Sequence, residues 1–300
     1  MTNPADPPTP SGRLGAAEPS LDHKAETTGT GPDHSLGPRS ARHLLPLACA
    51  ALTVCAQIGY PLTSGDARDR ITVVIVLLSA GTALAHATAI RGIRYAVGFL
   101  VLVSGLGLLA EVVGTATGVP FGCYEYALDR LGPALFGVPL IVALAWTGGV
   151  YPVWVVAGMV SRRTASRIAL TAVGAAGWDL FLDPQMVADA HWTWCDTDSG
   201  LPGLGPIPYT NYLGWFGVAL IMAGLLAVWE HAAPDAAPAP QAGGRVTTVA
   251  VPAAMFLWTW LGSALAHVAF LGLPHSGWYG LVGMGVLGVP LLVLSARTRR

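Results

Sequence analysis

Charge is what this sequence has least of. Asp, Glu, Lys and Arg make up 11% of its 300 residues, against roughly 25% in an average soluble domain. There is no basic stripe of the kind that grips nucleic acid, so no nucleic-acid partner is expected. Cysteine is scarce too: four residues are too few for a disulfide scaffold, and none forms a Cys-x-x-Cys metal or redox pair. No two histidines stand at i, i+3 or i, i+4, which leaves no His-rich metal cluster on a single helix. Gly105-Leu-Gly107 and Gly283-Met-Gly285 follow no strand, as a dinucleotide site would require. They read as close helix packing.

What remains is apolar. Hydrophobic residues make up 53% of the chain, gathered in runs that match the roughly 20 residues a helix needs to cross a bilayer. The pattern predicts an all-α polytopic membrane protein of about eight transmembrane helices, near 44–60, 71–90, 94–113, 134–160, 165–182, 212–230, 246–271 and 278–295. Residues 43–300 are read as a single transmembrane helical domain. Residues 1–42 carry no apolar block and are expected to form a disordered cytoplasmic tail. The tail has no signal-peptide pattern, so the first apolar helix is expected to serve as the insertion signal. The link 231–245, with Pro234, Asp235, Pro238, Pro240, Gly243 and Gly244, reads as a flexible linker.

The charges test this layout. With eight spans, both termini and the second, fourth and sixth links share one side. That side holds Arg91, Arg94, Arg162, Arg163, Arg167, Arg245, Arg297, Arg299, Arg300, Arg13, Lys24, Arg39 and Arg42, thirteen of the sixteen basic residues. The other side holds Arg68, Arg70 and Arg130. Because cytoplasmic loops are enriched in Lys and Arg, both termini are expected in the cytoplasm. The opposite face concentrates acid: Glu111, Glu125, Asp129, Asp179, Asp183, Asp189, Asp196 and Asp198. Tyr124, Tyr126, Trp178, Trp192, Trp194, Tyr209, Tyr212 and Trp215 keep them company, more than an interfacial aromatic belt explains.

Two links therefore carry the candidate chemistry. Glu111 sits where the third helix leaves the membrane. Asp179 and Asp183 stand at i, i+4 and share a helix face, and Pro184 is expected to end or bend that helix. A carboxyl group at such depth is expensive as an anion and marks a functional site, so at least one of Glu111, Asp179 and Asp183 is expected to act as a protonated acid. Glu125 and Asp129 read as solvated loop charges. Tyr124, Tyr126, Trp178, Trp192 and Trp194 could line a pocket whose ring faces stabilise a cation. His86 and His267 read as helix-packing hydrogen-bond donors. Cys123 and Cys195 fall on the same face and could pair, although spacing alone cannot show proximity.

At these links the sequence resembles the CruF-type carotenoid hydratases, small polytopic membrane proteins. The resemblance rests on Gly114-Thr-Ala-Thr-Gly-Val-Pro-Phe-Gly-Cys-Tyr-Glu-Tyr126, Gly137-Val-Pro-Leu140, Trp146, Trp178-Asp-Leu-Phe-Leu-Asp-Pro184, Trp192-Thr-Trp194 and Ile207-Pro-Tyr-Thr-Asn-Tyr-Leu-Gly-Trp215. It covers roughly residues 45–295. It implies water addition to the terminal carbon–carbon double bond of an acyclic carotenoid end, giving a tertiary alcohol, with a lipophilic carotenoid as substrate and no cofactor or metal. Gamma-carotene, lycopene and bacterioruberin precursors are substrates of the family.

The residue roles are inferred from chemistry: Asp179 or Glu111 donates the proton, Asp183 with Asn211 positions water, and Tyr124, Tyr126, Trp178, Trp192, Trp194 and Trp215 hold the substrate. A carotenoid cyclase is the nearest alternative, since it shares the first protonation. An intramembrane prenyltransferase would use Asp179-x-x-x-Asp183 to hold magnesium, but it lacks a second Asp-rich motif. A transporter or scaffold would place its acids along a pathway rather than at one face. Insoluble intermediates also invite a complex with other enzymes of the pathway.

Overall fold

Among the described residues, apolar runs bounded by Gly, Pro and charged residues become eight long rods. In the computed structural model, residues 38–232 and 249–297 are described, with backbone alone for 38–43. The helices are α1 (Pro38–Gly59), α2 (Asp66–Arg91), α3 (Ile93–Thr117), α4 (Leu140–Val160), α5 (Thr164–Ala188) and α6 (Tyr209–Ala232). Then α7 (Ala250–Leu257) runs through a π-helical turn (Trp258–Gly262) into α8 (Ser263–Ala269), and α9 (Pro274–Arg297) closes the chain. Counting α7, the π turn and α8 as one rod, seven of the eight are long and apolar enough to cross a membrane. The eighth, α5, carries Arg167, Asp179 and Asp183 and packs chiefly against α9, α6 and α4.

The molecule is apolar outside and polar at chosen points inside. Val282, Val228, Val101 and Leu213 are each more than 60% exposed. Water would not tolerate so many exposed aliphatic side chains, whereas lipid does. The protein is a multi-pass membrane protein. At the centre α5 and α9 meet backbone to backbone, where a Cβ on Gly177 would lie 2.6 Å from the Gly283 carbonyl carbon. Small residues permit such contact where no hydrophobic force drives helices together.

Three expectations are corrected. Residues 38–42 belong to α1 rather than to an irregular tail, while residues 1–37 and the linker stretch 233–248 lie outside the described residues. So do Arg13, Lys24, Arg245, Arg299 and Arg300.

Next, α4 begins at Leu140, not 134. Strands β2 (Ala134–Leu135) and β3 (Val138–Pro139) pair antiparallel across Phe136-Gly137. Both tip residues have positive φ, 51° and 82°, the backbone that a two-residue hairpin demands.

Finally, Pro184 does not end α5, which continues to Ala188. A proline removes the N–H owed to the carbonyl four residues earlier. Here the Ser276 hydroxyl donates to that carbonyl, on Leu180, at 2.7 Å. The substitute donor comes from α9, so sequence local to Pro184 could not reveal it.

Ion pairs tie both ends of the bundle. Glu230 accepts from Arg167 at 2.7 Å and Arg91 at 3.3 Å, and also from Tyr95 and Trp154. At the other end Arg130 makes a two-pronged contact with Asp69, at 2.6 and 3.0 Å, which also meets His191 Nε2 at 2.9 Å. Burial keeps the His191 imidazole below its ordinary pKa. Arg68 pairs with Asp189 at 2.8 Å. His86 meets the Tyr151 hydroxyl, and His267 meets the carbonyls of Ser263 and Phe181, so both histidines serve helix packing.

Ser276→Ala should cost about 1–3 kcal/mol, the usual penalty for a buried unsatisfied carbonyl. In a Pro184→Ala background the restored N–H should remove most of that cost. A double-mutant cycle of unfolding in detergent measures the coupling.

Candidate active site

The two long links fold into a cap of alternating residues. Strand β1 (Tyr124–Tyr126) pairs antiparallel with β4 (Trp192–Trp194), with Tyr124 opposite Trp194 and Tyr126 opposite Trp192. Successive side chains of a strand point to opposite faces. Tyr124, Tyr126, Trp192 and Trp194 therefore turn inward and line a cavity, while Glu125 and Thr193 are exposed. Cys123 and Cys195, one residue beyond each strand, are disulfide-bonded. Asp129 is exposed, like Glu125.

Beneath the cap lies a cavity of about 440 Å³. Glu111 comes from the last turns of α3, Asp179 and Asp183 from α5, and Asn211 from the first turn of α6; all four are at most 4% exposed. Glu111 Oε2 accepts from the hydroxyls of Tyr124 at 2.6 Å and Tyr126 at 2.8 Å, and Oε1 accepts from Trp146 Nε1 at 3.1 Å. Burial, reinforced by the neighbouring Glu111, pushes both phenols well above their ordinary pKa, so they remain donors. The Asn211 amide donates to Asp179 Oδ2 and to Asp183 Oδ2, each at 2.7 Å. Asp183 Oδ1 accepts from Trp192 Nε1. Asp179 Oδ1 is buried and accepts no hydrogen bond.

The wall is aromatic. Trp146 stacks on Trp215 with ring centroids 3.8 Å apart and planes 16° from parallel, and Trp178 stands edge-on to Trp215 at 5.6 Å. Tyr124 packs on Trp194 and Tyr126 on Trp192. Glu111, Asp179, Asp183, Asn211 and the seven named aromatics all line this one cavity. Sequence reasoning had quoted Trp146 only within the family-like motifs, not as a site residue. Its signal was an indole N–H inside a mostly apolar helix, a group that needs an acceptor when buried.

The electrostatics set these acids apart. Among the described residues the buried acids are Asp69, Glu111, Asp179 and Asp183. Asp69 has Arg130 and His191. The ion pairs of the described residues include none to the three cavity acids. Carboxyl groups gathered in an apolar site without a cation cannot all be ionised at acceptable cost, so the arrangement is suited to holding and moving a proton.

Thiol alkylation of the denatured, unreduced protein should modify Cys49 and Cys55, the two free cysteines. Reduction should add Cys123 and Cys195, a difference readable by intact mass.

Bisanhydrobacterioruberin hydratase of Haloarcula japonica is 31% identical to this chain over 125 residues. That alignment takes in 37% of this chain and 41% of the relative, less than half of either. No solved structure matches the chain. The family model described as carotenoid biosynthesis protein matches residues 71–290, a stretch that includes every carboxyl and aromatic residue of the cavity wall named above, and the chain belongs to that family.

Proposed function

We propose that this protein hydrates the terminal carbon–carbon double bond of an acyclic carotenoid end. The observation that carries the reading is Asp179: a buried carboxyl with one unpartnered oxygen, facing an aromatic cavity and tied through Asn211 to a second carboxyl, Asp183.

A trisubstituted alkene is a weak base, so its protonation needs a desolvated acid with a proton free to point at carbon. In this reading Asp179 supplies it. Glu111 does not, because three donors already occupy its oxygens. The proton adds to the less substituted carbon and leaves a tertiary cation. The faces of the cavity's tryptophan and tyrosine rings stabilise that cation, and Glu111 beneath Tyr124 and Tyr126 adds negative potential. Water then attacks the cation. Asp183, oriented by Asn211 and Trp192, takes the proton that water loses. One proton leaves Asp179 and one arrives at Asp183, and proton exchange through water in the cavity returns it to Asp179 before the next turnover. The product is the tertiary alcohol, and the only co-reactant is water.

The cap faces away from the cytoplasm in this proposal. Disulfides persist in oxidising compartments, and the Cys123–Cys195 bond stands on the side that the Arg and Lys distribution leaves outside. A prenyltransferase reading loses support, because Arg68 and Arg130, two of the three arginines on this face, are engaged by Asp189 and Asp69. A diphosphate site normally recruits such residues. A cyclase shares the first protonation but captures the cation with a second double bond, so its product has the substrate's mass.

Expression in a lycopene-producing host should yield pigments heavier by one or two waters. Asp179→Asn and Asp183→Asn should each lower hydration about 10²–10⁴-fold, the usual contribution of a general acid or base. Glu111→Gln should lower it less, since the amide still accepts from both tyrosines. Full hydration in all three variants would refute the assignment, and new pigments of lycopene's mass but shorter-wavelength absorbance would point to cyclisation.

A further inference from the structure

The cavity under the cap does not end at the carboxyls. Its wall also includes residues of α2, α4 and the π turn, and takes in Ile58 and Leu62 at the end of α1 and Leu265 and Phe270 at the end of α8. These four residues are 54%, 79%, 62% and 63% exposed. They lie on or beside the candidate membrane spans Leu44–Leu62 and Ala250–Ala269. The mouth thus opens at an apolar rim at the level of lipid, while the carboxyls at the inner end are buried. The flanking helices leave room for such an opening: α1 packs chiefly on α2, and α8 on α9. Trp258 Nε1 donates to Gln57 Oε1 at 2.8 Å and bridges α1 to the π turn. A π turn inside an α-helix often marks a functional site, and this one brings Thr259 and Gly262 to the cavity wall.

We infer that the opening between the end of α1 and α8, beside the Gln57–Trp258 bridge, is a lateral portal, through which one end of a long isoprenoid chain enters from the bilayer while the rest of the chain stays in lipid. The inference rests on the proposed function for what happens at the inner end, but not for the route. A volume of about 440 Å³ closed at one end by Asp179 and Asp183 accommodates a chain end rather than a folded chain. A substrate with two reactive ends must therefore leave and return reversed, so a singly converted pigment should accumulate before the doubly converted one.

Two measurements test the route without depending on catalysis. The first uses full-length protein from a lycopene-producing host and reads, by absorbance, the carotenoid that stays bound on purification. Gly262→Trp places an indole in the groove; a Cβ there meets nothing closer than Trp258 at 3.4 Å. It should reduce retained carotenoid at least tenfold, whereas Asp179→Asn should retain it while losing hydration. Undiminished retention in Gly262→Trp overturns the portal. The second places a benzophenone amino acid at the already exposed Ile58 or, as a control, at Ile221 on α6, 58% exposed. A carotenoid adduct at Ile58 at least fivefold above that at Ile221 supports the portal, and equal adducts overturn it, even if Gly262→Trp fails to fold. Retention and adducts at the portal without any hydration would instead refute the proposed function and leave the route standing.

Discussion

The structure is organised around the cost of carboxyl groups in an apolar interior. Elsewhere in the chain that cost is met with cations: Glu230 has Arg91 and Arg167, Asp69 has Arg130 and His191, Asp189 has Arg68. Around the cavity it is met with neutral donors only, the hydroxyls of Tyr124 and Tyr126, the indoles of Trp146 and Trp192, and the Asn211 amide. Neutral donors satisfy lone pairs without cancelling charge. The site thus keeps its acidity instead of dissipating it in salt bridges, and the ion pairs at the two ends of the bundle hold the helices that carry it.

The cap follows from the same requirement. Besides the Trp146 indole of α4, which serves Oε1, the donors to Glu111 reach down from outside the helices and meet Oε2. A two-stranded ribbon solves this with every second residue. Tyr124 and Tyr126 reach Glu111, Trp192 reaches Asp183, and the intervening Glu125 and Thr193 stay in solvent. The Cys123–Cys195 bond fixes the two strands at the point where they leave the cap. The register of the pair, Tyr124 opposite Trp194, is then the element that sets which ring faces the cavity.

How much of this could be read from the chain alone varied with the range of the interaction. Helix positions were legible to a few residues because apolar runs and their charged boundaries are local signals. The exceptions were equally physical. The hairpin 134–139 looked apolar enough for a helix, but its tip geometry belongs to Phe136 and Gly137. Pro184 looked like a stop, but Ser276 from another helix supplies the missing donor. Asp179 and Asp183 were legible as one face of one helix from their spacing. The alternation in Tyr-Glu-Tyr and Trp-Thr-Trp is a strand signal too short to stand out in a chain of long apolar runs.

By itself the sequence determined the membrane architecture, the concentration of acids and aromatics at one face, and the kind of chemistry that such a face could support. These properties depend on composition and on neighbours along the chain. Only the tertiary structure decided which acids share a hydrogen-bond donor, that Trp146 serves Glu111, that Cys123 meets Cys195, and where the cavity opens. Each of those facts joins residues from separate helices or links. No periodicity along one segment encodes them, because they arise when packing brings distant segments within hydrogen-bonding or covalent reach.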